Sequence, residues 1–224
     1  MLPDRAAARA AAQQVGVALD EAQADRLLAY LNLLRRWNAT YNLTAVHEAQ
    51  AMWVQHVMDC LAAVPSVAGH LHSRPGRPSI LDVGSGGGLP GVVWAIALPG
   101  CEVTCIDTVG KKAAFIRQAA GELGLSHVRS VHGRVEGFGG GPFDLITSRA
   151  FASLRDFTRL TRHLLAPGGC WVAMKGKFPA DELAELALPS AMFHVEPLQV
   201  PGLGAERCLV WIDAKASGDK PLGD

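Results

Sequence analysis

A chain of 224 residues, 49% apolar and 19% charged, can bury a sizeable core without staples and is too short for two full-sized domains. Its 21 basic and 21 acidic residues cancel, which excludes a protein that gathers nucleic acid by overall charge; any such surface must come from local clustering. Five cysteines with no Cys-x-x-Cys pair, and no histidines at ligand spacing from them, indicate free thiols and no metal site.

Arg5 and Arg9 interrupt the alanine-rich start and no apolar core follows, so the segment does not read as a secretory signal. The longest apolar run, Val92 to Leu98, falls far short of the roughly 17–25 residues of a membrane span. A soluble, cytoplasmic protein is expected.

Asp20 can cap a helix with Glu21 in its first turn, and Leu27, Leu31 and Leu34 recur at helical spacing. The turn-formers of Asn38 to Thr44 (NATYNLT) are expected to break that helix. A second helix is predicted from about Glu48 to Val64, with Trp53, Val57, Cys60, Leu61 and Val64 on its apolar side. His70 to Pro78 reads as a loop, placed as the boundary between an N-terminal helical cap, 1–78, and a main domain, 79–214, followed by a tail, 215–224.

From Ser79 onward short β-rich runs alternate with helical stretches, the pattern of repeated βαβ units. Strands are predicted at Ile80–Val83, Glu102–Ile106, Val128–Val131, Phe143–Thr147, Cys170–Met174, Met192–Leu198 and Arg207–Ile212. Helices are predicted after Pro90, Gly110, Ser153 and Pro179. The expected fold is α/β, a doubly wound, mostly parallel seven-stranded sheet of Rossmann-like type.

The segment Ile80 to Gly91 (ILDVGSGGGLPG) ends a buried strand in an acid, turns on glycines and opens a helix near Pro90. Gly84 and Gly86 let backbone approach a ligand that a β-carbon would exclude. A carboxylate at Asp82 would repel a pyrophosphate but suits a ligand with a cationic amino group and a sulfonium, S-adenosylmethionine; Asp82 can also brace the loop through backbone hydrogen bonds. Asp107 ends the next strand, 23 residues past Gly84, where an acid accepts hydrogen bonds from ribose hydroxyls; an ion pair with Lys111 or Lys112 is its structural alternative. After the third strand, Val135 and Glu136 are placed to meet an adenine edge. An NAD-dependent oxidoreductase shares this grammar, but Pro90 stands where a third glycine would be.

Ligands of open α/β sheets lie beyond the carboxyl ends of the strands. There the fourth strand leads into Ser148-Arg149-Ala150-Phe151, with no Asn-Pro-Pro-Tyr or Asp-Pro-Pro-Tyr for exocyclic amines and no Pro-Cys nucleophile. Catalysis by alignment fits that absence. It suits a nucleophile with a free lone pair and no proton to lose, with Arg149 positioning rather than acting as a base. From Asp144 to Lys177 six basic residues (Arg149, Arg155, Arg159, Arg162, Lys175, Lys177) face two acids. Lys175 and Lys177 are candidate RNA contacts, and Phe151 is either a stacking platform or part of the core.

Taken together, Trp37-Asn38, Tyr41-Asn42-Leu43-Thr44, His56 with Asp59, the Asp82–Gly91 loop, Arg134-Val135-Glu136, Ser148 to Leu154, Lys175-Gly176 and Glu206-Arg207 resemble one family. It is the bacterial small-subunit rRNA guanine-N7 methyltransferases, also called glucose-inhibited division protein B, and the likeness runs from about Leu27 to Ile212. The resemblance implies a class I methyltransferase that uses S-adenosylmethionine on N7 of a single guanine in the 530 loop of 16S rRNA (position 527). It implies cofactor contacts at Gly84, Leu89, Val135, Glu136 and Arg149. Leu89 would otherwise read as packing. The implied partner is 16S rRNA or the small subunit, met without a membrane by a monomer. Cys60 stands where relatives often carry Ser. His56 and Asp59, three residues apart on one helix face, either order the cap over the cofactor or pack, and the structural role is the favoured one. A methyltransferase for a small molecule or protein is the remaining alternative.

Overall fold

The computed structural model describes residues 2–149, 151, 153–186, 189 and 192–213. Ala150, Ala152 and the tail 215–224, named above, lie outside them. Helices fill the N-terminal part: α1 (Arg5–Gln14), α2 (Glu21–Tyr41), α3 (Ala49–Met52), α4 (Asp59–Ala62) and α5 (Val64–Leu71), with a π-helical segment, Trp53–Met58, joining α3 to α4. β1 (Ser79–Val83), α6 (Gly91–Ala97), β2 (Glu102–Asp107), α7 (Gly110–Glu122) and β3 (Val128–His132) follow. Then come β4 (Phe143–Ser148), α8 (Leu154–Thr161), β5 (Leu165–Lys175), α9 (Ala180–Leu186), β6 (Phe193–Leu198) and β7 (Arg207–Asp213).

α2 starts where the sequence predicts. Asp20 accepts from the Gln23 backbone at 2.6 Å and the Gln23 side chain accepts from Asp20 N at 2.9 Å, a reciprocal cap. Contrary to expectation, Asn38 does not break it. The helix runs on to Tyr41 and ends at Asn42 in the left-handed region. Asn38 is tolerated because its amide is used inside the fold, accepting from Thr44 N at 2.8 Å and donating to Val46 O at 3.3 Å. The second predicted helix is continuous in position but carries the π turn, and helix persists to Leu71, so the expected loop shortens to 72–78.

The sheet order is β3-β2-β1-β4-β5-β7-β6, parallel except that β7 runs against both of its neighbours. Strand alternation sorts its side chains into two cores. Ile80, Cys170, Val172 and Met174 face a cluster built with α1, α2, α6 and α7, whereas Leu81, Trp171 and Ala173 face one built with Leu154 and Phe157 of α8 and Leu183 of α9. Leu27, Leu31 and Leu34 of α2 are fully buried in the first cluster, each contributing about 1.5–3 kcal/mol of burial. The N-terminal helices therefore share one core with the sheet. All five cysteines are free and buried. Among the described residues no helix is long and apolar enough to cross a membrane.

Candidate active site at the carboxyl edge

The loop after β1 is tied down on three sides. Gly84 N and Ser85 N both donate to Ile106 O of β2, at 2.9 and 3.2 Å. Gly86 N donates to Asp107 Oδ2 at 2.9 Å, and Tyr30 of α2 donates its hydroxyl to Gly87 O at 2.5 Å. Gly84 holds φ +70°, and a β-carbon there would point into open space with no atom within 4 Å. The turn thus needs glycine for its backbone angle, and its outer side is open to a ligand.

Asp82, fully buried, accepts from Gly91 N at 2.9 Å through Oδ2, the loop-bracing role allowed for it above. Burial lifts its carboxyl to about 7 against the pull of the Gly91 amide. Among the described residues its Oδ1 has no partner, and neither do Thr147 Oγ1 and Ser148 Oγ. Thr147 is paired with Asp82 in the sheet register, so three orphaned polar atoms gather at the tips of β1 and β4. Buried polar atoms are nearly always partnered, and this set fits a polar ligand bearing amino and carboxyl groups.

Asp107 at the β2 tip is 5% exposed. It accepts from Gly86 N and, at 2.8 Å, from Val109 N, with Lys112 Nζ at 4.0 Å. Of its two expected neighbours only Lys112 is paired with it, so the carboxylate joins the glycine loop to the start of α7. Gly133 N donates to Asp107 O at 3.1 Å, bringing the short 3-10 turn Val135–Gly137 beside the same edge. Val135 is buried there and Glu136 is exposed. Leu89 packs in the first core cluster, as its own chemistry suggests.

Arg149, just past β4, donates from Nη1 to Gln55 O at 3.1 Å and lies 3.4 Å from Asp59 Oδ2. The acceptor carbonyl belongs to the π-helical segment, the kind of wide turn that frees backbone groups. The other oxygen of Asp59 takes Arg207 Nε at 2.8 Å. Because β7 is antiparallel, its first residue emerges at the carboxyl edge, with Cys208 opposite Lys175; that reversal delivers Arg207 to this site. One buried carboxylate thus holds two arginines that follow β4 and open β7. His56, lining the same pocket as Asp59, shares a hydrogen bond of 2.8 Å with Thr44 Oγ1. Burial and the Arg149 charge lower its pKa to about 4, keeping the ring neutral. The Asn38–Thr44 motif therefore serves to fix the His56 ring.

Gln55, His56, Asp59, Arg149, Lys175 and Arg207 line a pocket of about 300 Å³. Three of the residues singled out in the sequence have neighbours here that the sequence did not reveal. Lys175 is not an open cation, since both oxygens of Glu182 take its Nζ, at 2.7 and 2.9 Å. Phe151 is half-buried, its ring 5.7 Å from that of Phe157 in the second core, which favours the packing alternative. Asp59 pairs with both Arg149 and Arg207. The His56/Asp59 spacing was the only sequence signal for Asp59, and nothing local marked Arg207. Lys177 is exposed.

A glycine loop after β1, an acid at the β2 tip and a single reversed seventh strand define a class I S-adenosylmethionine-dependent methyltransferase. Solved structures agree on the fold. An O-methyltransferase from Bacillus cereus in complex with SAH matches with a TM-score of 0.54 at 19% identity, covering 83% of this chain and 90% of that one. A SAM-dependent methyltransferase from Aquifex aeolicus matches at 0.52 and 14% identity, over 73% and 93%. The family described as rRNA small subunit methyltransferase G matches residues 23–210. Ribosomal RNA small subunit methyltransferase G of Leptothrix cholodnii is 55% identical over 95% of this chain and 96% of its own, and that of Acidovorax sp. is 54% identical over 92% and 93%. The chain belongs to the rRNA small subunit methyltransferase G family. The oxidoreductase alternative falls with that result.

Proposed function

We infer that the protein methylates N7 of one guanine, in the 530 loop of 16S rRNA, with S-adenosylmethionine as donor. The observation that carries this reading is the composition of the pocket. Its ionisable groups are two arginines sharing Asp59, a lysine neutralised by Glu182, and a histidine whose pKa lies near 4. None is a competent base at neutral pH. Guanine N7 carries a lone pair and no proton, so its alkylation needs orientation and no proton acceptor.

S-adenosylmethionine supplies an electrophilic methyl group on a sulfonium. The residues of this chain bind and orient around it. Gly84 and Gly86 offer open backbone, and the unpartnered atoms of Asp82, Thr147 and Ser148 suit its amino-acid end. Asp107 suits ribose hydroxyls, and Val135 with Glu136 the adenine. Leu89, in the loop itself, is a further cofactor contact. Arg149, held by Asp59 and Gln55 O, is the positioning residue between cofactor and base. N7 lies in the deep major groove of A-form RNA, which side chains do not enter, so the guanine is taken from a loop or everted.

We further propose a cytoplasmic monomer in which residues 1–78 form a cap on the catalytic domain 79–214. The deciding experiment incubates the protein with labelled S-adenosylmethionine and small-subunit RNA, then separates the nucleosides. Label in 7-methylguanosine at one site is expected. Label on another atom, or on protein or small molecules alone, refutes the reading.

A further inference from the structure

Phe178 follows β5 at the carboxyl edge and is 59% exposed; the other large apolar side chain exposed among the described residues is Tyr41. An aromatic ring left in water at the ligand side of the sheet, directly after Lys177, has no packing role to explain it. It borders a groove of about 680 Å³ that is also lined by Val195, Pro197 and Leu198 of β6 and by Val200. Gly176 and Arg207 line both this groove and the Arg149–Asp59 pocket, so the two depressions meet along that pair of residues.

Arg207 is preset at this junction. Its Nε is fixed on Asp59 Oδ1 and its Nη1 donates to Glu206 O, both at 2.8 Å, and a quarter of the side chain is exposed. These bonds use two of the five donors of a guanidinium. Neighbouring nucleotides in a strand are joined by one phosphate. A strand with one base in the pocket and the next in the groove must therefore set its linking phosphate where Arg207 stands.

We propose that the Phe178 groove is a subsite for one unpaired nucleotide adjoining the methylated guanosine, its base stacked on the Phe178 ring and its linking phosphate held by Arg207. This rests on the reading of the protein as an rRNA methyltransferase. Single-stranded nucleic acid is gripped in this way by a cationic track beside an aromatic platform, and Lys177 with Arg207 supplies the track. A stacked base is sequence-tolerant, so the subsite holds the strand open rather than reading it.

The test uses the full chain as wild type, Phe178→Ala and Phe178→Trp, with methyl transfer measured on small-subunit RNA. Two further RNAs each lack the base of one nucleotide flanking the target while keeping its phosphate. Phe178→Ala should raise KM for RNA about tenfold, the loss of one stacked base, while kcat, cofactor affinity and melting temperature hold. Phe178→Trp should retain the wild-type KM. One of the two abasic RNAs should raise the wild-type KM by the same factor yet add nothing to Phe178→Ala. An unchanged KM in Phe178→Ala, or independent losses from protein and RNA changes, overturns the subsite. A defect seen only with protein-bearing subunits and absent on naked RNA overturns it in favour of a protein contact. If the wild type transfers no methyl to RNA, the parent reading fails and the subsite with it.

Discussion

Removing the Asp59 carboxylate is expected to damage stability and turnover together. Its side chain is 3% exposed and stands between Arg149 and Arg207, each 25% exposed. Breaking a fully buried ion pair by deleting one partner costs about 3–5 kcal/mol. Here each guanidinium keeps part of its surface in water, which brings the estimate for Asp59→Ala to about 2–3 kcal/mol. For a chain of this size that lowers the melting temperature by roughly 5–10 °C. Two unneutralised arginines then repel one another, and Arg149 retains only Gln55 O. A displacement of about 1 Å in a positioning group costs on the order of a hundredfold in rate. Asp59→Asn keeps the shape but turns a donor toward one arginine, so it should regain part of the stability and little of the turnover. Thermal melting alongside methyl transfer to RNA measures both. A wild-type melting temperature with wild-type kcat/KM in Asp59→Ala would show that the carboxylate organises nothing.

Tyr30→Phe removes the hydroxyl bonded to Gly87 O; a loss of about 1 kcal/mol and weaker cofactor binding by calorimetry are expected, and unaltered affinity would restrict Tyr30 to packing. Gly91→Ala would set a β-carbon 2.5 Å from Cys105 Sγ and 2.8 Å from Asp82 Oδ2. Overpacking of this kind costs about 1–3 kcal/mol, visible as a lower denaturant midpoint, and a wild-type midpoint would refute the tight approach. Folding stability should also respond to pH through two buried groups with opposite slopes. Asp82, near 7 when folded and about 3.9 when unfolded, contributes stability that is complete in acid and lost as pH rises through 7. His56, near 4 when folded and about 6.5 when unfolded, contributes stability that is complete above its unfolded value and lost as pH falls toward 4. The slopes oppose one another across the shared window. In Asp82→Asn, urea unfolding should therefore gain stability with rising pH there, and a flat profile would reject the His56 assignment.

Much of the fold was legible because a sheet buried on both faces writes short apolar runs between glycine turns, and those runs marked all seven strands. The β5 start was not. Pro167, Gly168 and Gly169 look like punctuation, yet the strand begins at Leu165 and absorbs them next to a register shift opposite Phe143 and Leu145. Asn38 also looked like a stop, because its buried amide contacts with Thr44 and Val46 are tertiary and leave no local trace. The cofactor side of the site was visible, since the Asp82–Gly91 loop and Asp107 are set by chain order alone. The substrate side was not. Asp59 and Arg207 are 148 residues apart, and they meet only because β7 is inserted in reverse between β5 and β6. The pairing of Lys175 was hidden for the same reason, its partner Glu182 lying on the next helix.

The buried thiols carry a practical consequence. Burial holds Cys170 near 12 and pushes Cys60 and Cys105 well above the ordinary thiol range, so at neutral pH they are neither ionised nor within reach of an alkylating reagent. Iodoacetamide should thus spare Cys60, Cys105 and Cys170 in the native molecule and mark those three only in chains that have opened. The mass gained over time becomes a clock for unfolding, one that needs no engineered label.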